Sequence, residues 1–324
     1  MTLQTSASSG AQLQTGARKP KALGHGAHAA IFAPASPGSE ARANAGIAEL
    51  RRLGFLIEKP EAHQPDGYFS GSTDARRGEF LTLLRAPGVD ALIGLRGGYG
   101  SNYLLDERLA SAAREPIAII GFSDLTSLQI FLWQQRGWVT FYGPMVAAGF
   151  DGGADAPGGY DEGSLRAAVS QTERGWDTSL RGEVLAGGKA DGRLLGGAMT
   201  IVEATFGTPW ELDTRGSILA LEDKAMKPYQ VDRVLMHFLQ AGKLQEVKGI
   251  LLGDFPECEP PVAGSPTVRD VCTRILRPLG VPVVFGAPIG HTTRAMLTLP
   301  LGVNARLHAE GSGTLEILEA AVTR

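Results

Sequence analysis

Only two cysteines, Cys258 and Cys272, occur in a chain of 324 residues, and neither belongs to a Cys-x-x-Cys pair. That scarcity argues against a disulfide scaffold and against a thiolate zinc site. The first residues lack the apolar core of a secretory signal, so two free thiols in a reducing cytoplasm are expected. An excess of charge is missing too: 31 Lys and Arg face 34 Asp and Glu, for a net charge of −3. No basic tract forms, which removes the electrostatic case for a nucleic-acid partner. No apolar run reaches the ~18 residues of a membrane span, so no membrane partner is expected either. HExxH is absent, and no histidine or aspartate cluster has ligand spacing. Neither a metal nor another cofactor is called for.

What the chain does contain is glycine, 43 residues of it, set among 43% hydrophobic residues. Its length allows about two domains, each with a core. Residues 1–22, rich in Ser, Gln, Thr, Ala and Gly, read as a disordered tail. From there to residue 150, apolar strands alternate with helical patterns: Ala29–Pro34, Phe55–Ile57, Ala91–Leu95, Pro116–Ile120 and Val139–Met145 are the strands. Such alternation implies crossover connections and a parallel sheet covered by helices. Gly24-His-Gly-Ala-His-Ala29 imitates a dinucleotide fingerprint, but it precedes its strand instead of following it, so it is discarded. A glycine-dense break at 149–159 and mixed polar residues up to about 190 read as a linker, placed at 151–190. A second α/β unit, 191–324, then carries the strands Ser217–Asp223, Gly249–Gly253 and Val281–Phe285, and closes on a β-rich edge.

Chemistry concentrates at Ile119-Ile-Gly-Phe-Ser-Asp-Leu-Thr126. Ser123 stands where a buried strand turns sharply into a helix. There a hydroxyl is lifted clear of the sheet and faces free backbone N–H groups, the geometry of a nucleophile elbow. A serine at that position can equally be a helix N-cap. A nucleophilic serine needs a base held by a carboxylate. Among the six histidines, His25 and His28 lie near the tail, His63 in a polar loop, His237 on a helix and His308 after an edge strand; His291 follows a strand directly, where sheet-edge loops carry function. Glu222 ends a buried strand and needs a partner for its charge, with Lys224 or Lys227 as the plain alternative. Gly97-Gly-Tyr-Gly100 offers backbone that can approach a ligand closely, or merely a tight turn.

Taken in order, Arg96-Gly-Gly-Tyr-Gly100, Gly121-Phe-Ser-Asp124, Tyr142-Gly-Pro-Met145, Gly196-Gly197, Gly207-Thr-Pro-Trp210, Leu219-Ala-Leu-Glu-Asp223, Val231-Asp-Arg233, Leu251-Leu-Gly-Asp254, Gly290-His291 and Thr298-Leu-Pro-Leu-Gly302 resemble the LD-carboxypeptidase family, serine peptidases that trim muropeptides, with microcin-immunity peptidases as a second branch. The resemblance implies a Rossmann-like N-terminal domain (23–150), a C-terminal mixed α/β domain, and a site in the cleft between them. It implies a Ser123–Glu222–His291 triad, an oxyanion hole of the Gly98 and Asp124 backbone N–H groups, and removal of the terminal D-alanine from murein tetrapeptides in peptidoglycan recycling. A cytoplasmic location and a homodimer come with it. Tyr99, Met145 and Trp210 are loop residues expected near the cleft, with core as their alternative. Two rival readings stand beside it. One is an immunity-type amidase that cleaves a peptide–nucleotide antibiotic. The other is a non-catalytic module that binds a nucleotide or sugar phosphate. The twelve-residue step from Trp210 to Glu222 favours the recycling enzyme over the immunity branch.

Overall fold

Short, mostly apolar runs, alternating with segments that carry a helical apolar face, build the first half of the chain. The computed structural model describes residues 16–59 and 64–324; His63 and the tail before residue 16 lie outside them. The strands β1 (His28–Phe32), β2 (Leu56–Glu58), β3 (Ala91–Gly94), β4 (Ala118–Gly121) and β5 (Thr140–Tyr142) alternate with the helices α1 (Glu40–Arg52), α2 (Thr73–Leu83), α3 (Glu107–Ala112) and α4 (Thr126–Arg136). The two middle helices start at side-chain caps: Ser72 accepts from Ala75 N (3.2 Å) and Asp106 from Leu109 N (3.0 Å). All five strands pair in parallel, in the spatial order β5-β4-β3-β1-β2. β3 and β4 are buried along their whole length, as a sheet covered on both faces requires.

The region expected to be a linker is structured. It supplies α5 (Glu162–Ser170), β6 (Trp176–Ser179), β7 (Glu183–Ala186) and the start of β8 (Gly188–Ala198). Its glycines are turn formers rather than slack: a Cβ on Gly159 would lie 1.9 Å from the Gly153 carbonyl oxygen. α5 buries Leu165, Ala168 and Val169 in the same core as the first sheet. The expected tail is likewise held from residue 16 onward, with Arg18 N bonded to Gly137 O (2.7 Å) and Ala22 N to Thr323 O (2.8 Å). Polar composition concealed both segments because their order comes from backbone hydrogen bonds to distant strands and termini, which composition does not report.

The remaining elements are α6 (Met199–Glu203), β9 (Ser217–Glu222), α7 (Pro228–Gln240), β10 (Gly249–Gly253), α8 (Val268–Leu276), β11 (Val283–Ala287), β12 (Leu299–Leu301), β13 (Asn304–Ala309) and β14 (Thr314–Ile317). They complete an eight-stranded mixed sheet, β6-β14-β13-β8-β9-β10-β11-β7, whose central strands β8 to β11 are parallel. β12 does not join it. It pairs antiparallel with β5, Leu299 opposite Tyr142, and becomes the sixth strand of the first sheet. Pro300, which has no N–H to give, is tolerated at such a sheet edge. One hydrophobic core accordingly runs through both sheets, while α6, α7 and α8 cover a second core on the far face of the larger sheet. No helix among the described residues is long and apolar enough to cross a membrane.

Candidate active site

β4 ends at Gly121, and the chain must turn at once into α4, which is buried from Thr126 to Leu132. Ser123 absorbs that turn with φ +62°, a left-handed conformation unusual for a residue with a Cβ and costing on the order of 1 kcal/mol or more. The conformation fits an elbow, and among the described residues no side-chain cap hydrogen bond closes the start of the helical segment, whose N-cap positions are Phe122 and Leu125. Gly97 faces it directly: a Cβ there would lie 2.8 Å from both Cβ and Oγ of Ser123. A glycine is required for that approach.

β9 delivers Glu222 from the other sheet, fully buried. One carboxylate oxygen accepts from the His291 backbone N (2.9 Å) and lies 3.0 Å from His291 Nδ1; the other accepts from the Tyr142 hydroxyl. A carboxylate at Nδ1 fixes the tautomer that leaves Nε2 free. Lys224 pairs with Glu257 (3.1 Å), and no ion pair joins Lys224 or Lys227 to Glu222 among the described residues. Gly290 and Gly253 allow the carboxylate its place, since a Cβ on either would come within 2.4 Å of a Glu222 atom. The His291 ring rests edge-on against Phe122, 5.0 Å between centroids. Behind it Thr292 and Arg294 both bond Asp254, which anchors the histidine loop.

Tyr142 ties the two halves together. Its hydroxyl donates to Glu222 and accepts from Ser123 N at 3.3 Å. Burial, and then the neighbouring carboxylate, push that phenol far above its usual range, so it stays a neutral donor. Gly196 and Gly197, at φ +135° and +141°, let β8 close on the start of α4: Ala198 N donates to Thr126 Oγ1 at 3.1 Å. That contact falls at Thr126, three residues beyond Ser123.

The Gly97–Gly100 loop is pinned from below. Gly97 O accepts from Ser36 N (3.3 Å), which turns the opposite side of that trans peptide, the Gly98 N–H, the other way. Arg76, fully buried, donates to the carbonyls of Gly71, Pro34 and Gly100. Asp124 accepts from Ser101 N at 2.8 Å. Desolvation raises the Asp124 pKa and lowers that of Arg76, and each charge partly offsets the penalty on the other. The Asp124 N–H itself belongs to the first turn of the helical segment, where amides lack intrahelical acceptors.

These residues border a cleft of about 490 Å³ between the two sheets. Ser123, Gly98, Asp124, Met145 and His291 all line it, with Glu222 behind the histidine. Trp210 and Tyr99 do not. They line an adjoining hollow of about 320 Å³ that shares Asp124 and Ile201 with the cleft. Trp210 leans edge-on against Phe131, and Tyr99 joins an aromatic group with Tyr68, Phe69 and Tyr103. Sequence reasoning missed Tyr142, Arg76, Arg96 and the pair Thr200–Asp223. Tyr142 had a signal, its place in Tyr-Gly-Pro-Met at a strand end. Arg76 had none, because nothing local marks an arginine that will be buried by its helix. No group of three or more His, Cys, Asp or Glu among the described residues could hold a metal ion.

A serine at a strand-to-helix turn and a carboxylate-held histidine line one cleft between a largely parallel sheet and a mixed one, an arrangement suited to a serine hydrolase. Family models for the LD-carboxypeptidase N-terminal and C-terminal domains match residues 29–143 and 191–307, and the chain belongs to that family of hydrolases. It is 33% identical over 303 residues to the probable murein peptide carboxypeptidase of Bacillus subtilis, which spans 92% of this chain and 94% of that one. To the microcin C7 self-immunity protein MccF of Escherichia coli it is 29% identical, over 84% of this chain and 86% of that protein. The muramoyltetrapeptide carboxypeptidase of Oxalobacter formigenes superposes with a TM-score of 0.76 at 27% identity, covering 90% of this chain and 99% of the other.

Proposed function

We propose that the protein is a serine LD-carboxypeptidase that removes the terminal D-alanine from murein tetrapeptides. The observation that carries the reading is the buried Glu222 carboxylate gripping both the backbone N–H and Nδ1 of His291, in a cleft that His291 shares with the strained Ser123. In this reading His291 Nε2 takes the Ser123 proton as Oγ attacks the carbonyl of the diamino acid. Glu222 holds the imidazole and stabilises its cation. The N–H groups of Gly98 and Asp124 receive the oxyanion. His291 then protonates the leaving nitrogen, D-alanine departs, and water attacks the acyl-enzyme with His291 as base. The relatives that act on murein peptides support this substrate class. A place in peptidoglycan recycling, a cytoplasmic location and a homodimer belong to the same proposal.

Mass spectrometry of a synthetic murein tetrapeptide ending in D-alanine tests it, with wild type and Ser123→Ala side by side. Loss of D-alanine with the wild type alone establishes reaction and nucleophile. A binding module would treat the two proteins alike, because no chemical step would be lost. Likeness to MccF favours one second reading, amide cleavage in a peptide–nucleotide by the same triad. A folded wild type that releases no D-alanine but cleaves a peptidyl-adenylate analogue would decide for it.

A further inference from the structure

A carboxypeptidase must do more than cut an amide: it has to recognise that the residue after the cut is the last one. The mark of that residue is a carboxylate. It lies three bonds from the scissile carbon, within about 4 Å of it, so its receptor must stand beside the nucleophile. Three cations line the cleft, Arg42, Arg96 and Lys224. Arg42 is already bonded to Asp151, and Lys224 to Glu257. Arg96 has no carboxylate partner among the described residues; its one hydrogen bond is a long one, Nη1 to Pro37 O at 3.3 Å. It is exposed, and it immediately precedes the glycine that touches Ser123. The loop after β3 thus sets a guanidinium with spare donors on the cleft that Ser123 also lines.

We propose that Arg96 receives the terminal carboxylate of the substrate and so makes the enzyme exo-acting, an inference that rests on the carboxypeptidase reading above. A guanidinium fork matches a carboxylate with two parallel hydrogen bonds and fixes its direction as well as its charge. It would hold the D-alanine end beside it in the cleft, and leave the longer peptide arm to the rest of the lining, which includes Ala147, Ala148, Thr200 and Asp223. A site built around that charge discriminates against a neutral end, because its donors are then left without a partner.

The test crosses substrate with mutation. Wild type, Arg96→Met and Arg96→Lys are assayed on a murein tetrapeptide with a free D-alanine carboxylate and on its C-terminal amide, with thermal melting to check folding. The expected result is a wild-type preference for the acid in kcat/KM that falls by roughly ten- to a hundredfold in Arg96→Met, as loss of a charge-assisted contact implies. Arg96→Lys should keep part of the preference, since it retains charge without the fork. Equal losses on acid and amide would show Arg96 to be a mere support of the Gly97 loop and overturn the proposal, as would an acid preference that survives in Arg96→Met. Wild type inactive on both peptides would refute the carboxypeptidase reading itself, and this inference with it.

Discussion

Removing one oxygen from Tyr142 separates the coupling of the two half-sites from the packing of the core. In Tyr142→Phe the ring stays where it is, edge-on to Phe122 at 6.2 Å, and no cavity opens. What disappears is the only hydrogen bond, among the described residues, to one oxygen of a fully buried carboxylate, together with the acceptor of Ser123 N. A hydrogen bond to a charged group contributes about 1.5–3 kcal/mol, and the part-buried Ser123 amide left without its acceptor costs less than the ~1–3 kcal/mol of a fully buried one. The substituted ring no longer has to desolvate a hydroxyl, which offsets part of this, and a net loss of about 2–4 kcal/mol remains. For a chain of this size that is a fall in Tm on the order of 3–6 °C. Because Ser123 sits at φ +62° with its N–H held by that hydroxyl, the loss should also reach turnover. We expect kcat on a murein tetrapeptide to fall by roughly 10- to 100-fold with KM little changed, as for an interaction that matters mainly in the transition state. Calorimetry and steady-state kinetics on the same preparation decide. A lowered Tm with wild-type kcat would make Tyr142 a core support and refute the coupling; wild-type values of both would refute the hydrogen-bond accounting as well.

Gly290→Ala should abolish most activity at a modest cost in stability. Its φ of +57° costs an alanine about 1 kcal/mol, and the new Cβ would stand 2.3 Å from the Glu222 carboxyl carbon, so the carboxylate must leave His291. A kcat reduced by less than about threefold would show that Glu222 does not orient the base. The pH dependence of stability should carry the mark of Asp223, whose pKa burial raises against the pull of its bonds from Thr200 and Lys224. A raised folded value means the charged form costs stability at neutral pH, and the cost is relieved as pH falls through that value towards the unfolded one. The stability of Asp223→Asn relative to wild type should therefore decline as pH drops from neutral to about 4, followed by urea unfolding at each pH. A difference that stays flat or rises over that range would mean that Asp223 is not penalised by burial.

Much of this protein could be read from local pattern. Short apolar runs located the five parallel strands; β3 and β4, buried along their whole length and ending in glycine, were the plainest, because a strand buried on both faces has to be apolar throughout. The turn at Gly121–Ser123 marked itself as the abrupt change from strand to helix, and His291 and Glu222 were conspicuous as polar groups at the ends of buried strands. Polar segments were misread for the complementary reason. Residues 16–22 and 151–190 are ordered by backbone bonds and by partners far along the chain, and β12 crosses to the first sheet although it lies among strands of the second. Register between distant strands leaves no local trace.

The sequence by itself set the candidates, since a serine, a histidine and a carboxylate stood out by residue type and by position at or just beyond strand ends. Only the tertiary structure decided how they meet. It put Tyr142 between Ser123 and Glu222, buried Arg76 beneath the glycine loop, moved Trp210 and Tyr99 into a neighbouring hollow, and left Arg96 on the cleft of Ser123 without an acid partner among the described residues. The physical reason is that side-chain type sets chemistry locally, whereas distance, burial and the presence of a partner depend on which strands pair, and those pairings join residues as far apart as Tyr142 and Leu299.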